Sequence, residues 1–375
     1  MRWVFAREQA MPAGLAPMSL AFWNTRCDTA AGMNEITKRK NFIPVTDELI
    51  SYLDQFGRCY SLPTTYDELR GFSESYPHSD KEGNPTYWSS VLYPRELQKE
   101  LYPKLTSIYS QLRTGDFTAV PHLFVERVDY CEFGNSRPFR VRVVNQYNDN
   151  YDHFYVKTAD ASRVYGLELE HLLSPNRINY LVHRGGTLVE EHIAGIPGDA
   201  FIRDYLHRPD LNRVRLAKEF VKFSERCFIR LLGDMRSYNY VIDMTPDFEE
   251  VQYRVRAIDF DQQSYEGRKS LYLPQFFKEN NPVVQLCSAC LNFPTMKQYQ
   301  EEERSLISRR YLSEHNRITA LLRCMKNNAV EPFEKVIQLR SELGQYHNSH
   351  LFDSCHSMGE IVERNLDLML GKHLE

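Results

Sequence analysis

LLGDMRSYNYVID (231–243), followed by VRAIDFDQ (255–262), decides how this chain is read. Asp234 and Asn239 stand five apart, and Asp259 follows Asn239 by twenty residues at the end of an apolar run. That spacing suits phosphoryl transfer. One carboxylate faces an attacking hydroxyl, while an amide oxygen and a further carboxylate hold Mg²⁺ against nucleotide phosphates. Mg²⁺ takes few hard oxygen ligands from protein, so one Asn and one Asp suffice beside phosphate and water. Asp, Asn and Gly are also turn residues, and taken alone the stretch reads more readily as an ordinary loop. The segments upstream give it context.

Residues 211–232 carry Val214, Ala217, Val221, Cys227, Phe228 and Leu231 at helical steps with Lys, Arg and Glu between them, which predicts an amphipathic helix. Before it, INYLVHRGG (178–186) and TLVEEHIAG (187–195) form a hairpin across a Gly-Gly turn. ASRVYGLELEHLL (161–173) is a short helix that stops at Ser174-Pro175. HFYVKTAD (153–160) is a strand placing Lys157 between Val156 and Thr158. Residues 122–146 form the first hairpin, and 238–243 with 251–258 form another across MTPDFEE.

This order resembles the protein-kinase-like fold. LGDMRSYN (232–239) and AIDFD (257–261) resemble the motifs of its aminoglycoside and choline phosphotransferase branch. The resemblance covers roughly residues 120–290. It implies an α+β, two-lobed architecture with a small antiparallel sheet lobe at 119–195 and a helical lobe at 196–375. Position by position, it implies that Lys157 reaches the ATP phosphates and that Glu168 holds this lysine by an ion pair, with Glu170 as the alternative. Glu168 shares the inward face of its helix with Val164 and Leu172. Asp234 would accept or orient the proton of the acceptor hydroxyl. Asn239 and Asp259 would bind Mg²⁺, and Asp261 would assist with a second metal or orient the loop. The adenine would lie against a hinge at Glu191, His192 and Ile193. Gly134, Asn135 and Ser136 would cover the phosphates. Two positions depart from the branch: Leu232 stands where it usually has His, and Gly134 is the single glycine of the phosphate-covering hairpin.

Composition agrees with an enzyme-sized globular chain. Its 375 residues are 42% hydrophobic, enough for a sizeable core. The net charge of −4 is spread among interspersed acids and bases, so nothing favours a nucleic-acid backbone. No apolar run is long enough to span a membrane. The eight cysteines are scattered, and only Cys287 and Cys290 form a C-x-x-C. They read as small apolar residues of a buried helix rather than a zinc site. Their scatter predicts a reducing, cytoplasmic compartment. Residues 1–33 read as a flexible extension, and 34–118 as a helical extension or cap with a mobile loop around SESYPHSDKEGNPTYW (73–88). Three amphipathic helices after residue 296 complete the helical lobe. The expectation is an ATP- and Mg²⁺-dependent phosphotransferase moving the γ-phosphate to a hydroxyl of a small molecule or protein. The alternative, suggested by the scarcity of glycine near 134, is a catalytically inactive kinase-like protein that binds a nucleotide or a partner.

Overall fold

Alternation along the strands builds the first core. Seven strands pair antiparallel in the order β1-β2-β3-β4-β5-β7-β6. They are β1 (Glu74–Ser79), β2 (Pro85–Leu92), β3 (Leu123–Cys131), β4 (Phe139–Asn145), β5 (Tyr151–Thr158), β6 (Tyr180–His183) and β7 (Thr187–Glu191). The computed structural model describes residues 40–79, 85–118, 120–132, 136–247, 251–328 and 332–373. Successive strand residues point to opposite faces. Val125, Val141, Val143, Phe154, Val156 and Val189 therefore share one side. The helices α1 (Asp47–Gln55), α2 (Tyr66–Leu69) and α3 (Arg95–Thr114) precede β3. Leu101, Leu105, Ile108 and Leu112 of α3, with Tyr66 and Leu69 of α2, close that face. Tyr155 and Lys157, offset by one residue from Phe154 and Val156, point to the other.

α4 (Ala161–Leu173) leaves β5 and is buried along almost its whole length. Asp160 caps it, accepting from the Arg163 and Ile43 amides at 3.3 and 3.0 Å. Gly166 lets α4 approach the segment after 258 closely, because a Cβ there would sit 2.9 Å from the Phe260 Cβ. After β7 come β8 (Ile196–Pro197), α5 (Gly198–Asp204) and α6 (Arg213–Ile229). β9 (Tyr240–Pro246) and β10 (Val251–Ala257) pair as a hairpin, with β8 on the outer side of β9. The remaining helices are α7 (Asn281–Cys290), α8 (Phe293–Ser313), α9 (His315–Asn327), α10 (Phe333–His347) and α11 (Met358–Leu370). The described chain is thus mixed α+β: a seven-stranded antiparallel sheet and eleven helices.

Three expectations change. Segment 34–118 is not purely helical, because β1 and β2 extend the sheet. The stretch read as a mobile loop supplies β1 and the first half of β2, and only residues 80–84 of it lie outside the described residues. The physical reason is alternation. Val91 enters the core, while Trp88 and Ser90 turn to the other face, where Ser90 donates to Asp129 at 3.0 Å and Arg140 stacks over Trp88. On α6, Val214 is half exposed and the buried stripe begins at Leu216. Cys287 is buried in α7 and Cys290 is half-buried, both as free thiols. The expected extension 1–33 and the tip of the MTPDFEE turn lie outside the described residues.

The close approach of α11 to α9 gives the first prediction. A Cβ on Gly359 would meet Lys326 N and Met325 C at 2.4 Å. Both obstacles are backbone and cannot rotate away. Gly359→Ala is expected to cost about 1–3 kcal/mol or more, as overpacking does. Urea unfolding of the variant checks it; an unchanged midpoint would show that the two helices separate freely.

Candidate functional site

The penultimate residue of β5 and the penultimate residue of β7 meet on the face opposite the valine core. Lys157 Nζ donates to Glu190 Oε2 at 2.8 Å. Arg163, in the first turn of α4, reaches the same carboxylate through Nη2 at 2.8 Å and through Nε. Its Nη1 donates to Asp259 Oδ1 at 2.8 Å and to Asp261 Oδ1 at 2.9 Å. Two cations and three carboxylates from four segments thus form one cluster, buried except at the partly exposed Asp259. Burial opposes ionisation of Glu190, but the charges of Arg163 and Lys157 outweigh it and hold the carboxyl at about 2. Burial, then the Arg163 charge, pushes the Lys157 ammonium down. Burial and the Asp261 charge push the Asp259 carboxyl up against the pull of Arg163.

The Asp234 loop is laced to the same segment. The Ile258 amide donates to Asn239 O at 3.0 Å, and the Gly233 amide to Gln262 O at 3.1 Å. Asn239 Nδ2 donates to Asp234 O at 2.7 Å, which leaves its Oδ1 as the ligand-capable atom. Leu232, at the position expected for His, is fully buried, and backbone pairing with Gln263 supports the loop there. Asp234 has φ of 57°, a left-handed conformation that Asp tolerates better than most side chains. Arg236 Nε donates to Asp234 Oδ1 at 2.8 Å, and its Nη1 to Glu279 at 3.0 Å. Burial pushes the Asp234 carboxyl up. Arg236 opposes this, and the charges of Asp259 and Glu279 add to it.

Glu168 does not meet Lys157. It accepts from Tyr52 at 2.7 Å, from Tyr180, and from Arg317 Nη2 at 2.8 Å, with Arg58 Nε at 3.3 Å. Glu170, the alternative partner, pairs with Arg230. Helix geometry explains the correction. Arg163 and Glu168 are five residues apart, hence roughly 140° apart around the helix. Both faces of α4 are buried, and the lysine lies on the Arg163 side. Glu168 instead ties α4 to α1 and α9.

At the expected hinge, the Glu191 amide donates to Asn179 O at 3.0 Å and its side chain accepts from the Asn179 amide at 2.8 Å. The His192 amide donates to His153 O at 3.3 Å, and Ile193 is buried. Tyr155, next to Lys157 on the same sheet face, reaches the His192 ring through its hydroxyl at 3.1 Å. Ser136 is half-buried in the bend before β4; Gly134 and Asn135 lie outside the described residues.

Sequence reasoning missed Arg163, Glu190, Arg236 and Tyr155. One signal was present: Glu190 follows Val189 in a short apolar strand, and an inward-facing acid there requires a cationic partner.

Two side-chain oxygens here have the chemistry of Mg²⁺ ligands. Asp259 Oδ1 is taken by Arg163 and by the Asp261 amide at 3.1 Å. Its Oδ2 accepts no hydrogen bond among the described residues, and 34% of its side chain is exposed. That oxygen and Asn239 Oδ1 are the hard ligands Mg²⁺ takes. Asp261 is buried against Arg163 and does not fit as a ligand. Among the described residues, no three of His, Cys, Asp and Glu are grouped to hold a metal by themselves. No protein-family model matches the chain, and no curated protein matches it either. Among the described residues, no helix is long and apolar enough to cross a membrane.

Proposed function

We propose that this chain is an ATP- and Mg²⁺-dependent phosphotransferase with a two-lobed, kinase-like arrangement. One observation carries the reading. Lys157, Asn239 and Asp259 come from distant stretches, yet the chain Lys157–Glu190–Arg163–Asp259 and the Ile258–Asn239 bond join them in one site beside Asp234. The strand order β3-β4-β5-β7-β6, with α4 between β5 and β6 in sequence, supports the expected small lobe. In this reading ATP lies between the sheet face of Tyr155 and Lys157 and the Asp234–Asp259 segment. Bound Mg²⁺ would neutralise phosphate charge. Lys157, released from Glu190, supplies a fixed positive charge to the phosphates. Asp234 takes the proton of the acceptor hydroxyl as its oxygen bonds to the γ-phosphorus. The bond from that phosphorus to the bridging oxygen breaks, and ADP leaves. Positioning and charge do most of the work.

A second reading has its own observation. Lys157 and Asp259 are both engaged by protein groups, Glu190 and Arg163. This favours a kinase-shaped protein that binds a nucleotide without turnover. Isothermal titration with Mg²⁺-ATP, followed by release of labelled phosphate to alcohols, separates the two. We expect saturable binding and transfer. Binding without transfer selects the second reading. No binding to demonstrably folded protein removes both.

A further inference from the structure

We propose that Arg163 is a built-in second cation of the site, so that the nucleotide is held with a single divalent ion rather than two. The inference rests on the phosphotransfer reading above. Two ions in a kinase-type site are held by the strand-end Asp and the loop Asn, so a second ion here would draw on the other oxygen of Asp259 or on Asp261. Both are instead engaged by a guanidinium. Arg163 Nη1 lies 2.8 Å from Asp259 Oδ1 and 2.9 Å from Asp261 Oδ1, between the two acids that a second ion would need.

The guanidinium is not a passing surface group. Arg163 is 2% exposed. Its remaining donors are fixed by Glu190 Oε2 at 2.8 Å and by the Ile258 carbonyl at 3.3 Å, with Nε on Glu190 Oε1. Asp160 caps the helix that carries it. A planar fork held on three sides keeps its place more firmly than a hydrated ammonium would. Asp259 Oδ1 also accepts the Asp261 amide at 3.1 Å, so Asp259 can offer an ion only Oδ2. Asp261 faces the guanidinium and completes its charge balance. With Lys157, the cluster holds two positive and three negative charges, close to neutrality without any ion. The single divalent ion then belongs to Asn239 Oδ1 and Asp259 Oδ2. Arg163 supplies, from the other side, the positive charge that a second ion brings elsewhere.

Mn²⁺ with the β,γ-imido analogue of ATP tests this by electron paramagnetic resonance and equilibrium dialysis on the full chain, without turnover. The wild-type protein is expected to bind one Mn²⁺ per bound nucleotide, even at high Mn²⁺. Arg163→Gln removes the charge and the guanidinium contacts on Asp259 Oδ1 and Asp261 Oδ1, so a second, weaker Mn²⁺ is expected per nucleotide. Two ions per nucleotide in the wild type overturn the proposal and leave phosphotransfer standing. One ion in a folded Arg163→Gln protein overturns it as well. If the nucleotide analogue does not bind the wild type at all, the phosphotransfer reading itself falls. The wild-type count decides whether or not the variant folds.

Discussion

Glu190→Gln is expected to lower folding stability by about 3–5 kcal/mol, the scale of breaking a buried ion pair from one side. Glu190 is 5% exposed and is the single carboxylate hydrogen-bonded to Lys157 Nζ among the described residues. Glutamine preserves shape and one acceptor but not the charge. Arg163 keeps Asp259 and Asp261; Lys157 is left as a buried ammonium with no carboxylate hydrogen-bonded to it, and only the more distant charge of Asp261 supports it. The cost is therefore the desolvation of a stranded cation, not the loss of one hydrogen bond. A pH signature separates this from simple repacking. The Glu190 carboxyl is held at about 2, below its ordinary 4.5. A carboxylate with a lowered folded pKa adds stability above its unfolded pKa and loses it as pH falls through the folded one. The stability gap between wild type and Glu190→Gln should therefore be full above about pH 4.5 and close as pH approaches about 2. Urea unfolding at a series of pH values measures it. A neutral-pH gap under about 1 kcal/mol, the value of an exposed pair, would sink the argument.

Local signals in the sequence were legible, and long-range choices were not. The strands around Lys157 and Val189, the helix 161–173, the helix after 211 and the hairpin across MTPDFEE follow from periodicity, turn residues and caps, all of which act within a few residues. The β1–β2 hairpin was hidden because Ser, Pro, Asn and Gly in SESYPHSDKEGNPTYW mask the alternation of Trp88, Ser90 and Val91. The partner of Lys157 was beyond reach for a different reason. A buried ammonium takes whichever carboxylate the tertiary structure brings to it. Register pairs Tyr155 with Glu190 and so sets Glu190 diagonal to Lys157 on the same face. Nothing near Glu168 in sequence reveals that Tyr52, Arg58 and Arg317 converge on it from outside its own helix. Arg163 was overlooked because an arginine beside apolar residues of a short helix reads as a solvated position, whereas α4 is buried on every side.

Asp234→Asn and Asp259→Asn are expected to divide by role. In the proposed mechanism Asp234 takes the proton; it is half-buried, in a left-handed backbone conformation, and held by Arg236 at 2.8 Å. Removing a general base typically slows the chemical step by about 10²- to 10⁴-fold, so Asp234→Asn should lose that much transfer and keep nucleotide affinity. In the proposed mechanism Asp259→Asn removes the charge that would draw Mg²⁺ to Oδ2, so it should weaken Mg²⁺-dependent nucleotide binding together with turnover. The raised carboxyl of Asp234 adds two further expectations. Transfer should fall as pH drops through a value above the ordinary 3.8 of an aspartate, because the proton-accepting form is lost there. Stability moves the other way. A carboxyl whose folded pKa lies above its unfolded one contributes stability below the unfolded pKa and loses it as pH rises through the folded value. At neutral pH the ionised Asp234 is therefore a cost to the fold, and Asp234→Asn should melt higher than the wild type while turning over more slowly. Residues that merely cap turns behave otherwise: each substitution would cost about 1 kcal/mol and spare activity. Titration of Mg²⁺-ATP, a radiolabel transfer assay and thermal melts on the two variants distinguish these outcomes. Equal, mild destabilisation of both, with transfer intact, would remove Asp234 and Asp259 from the chemistry.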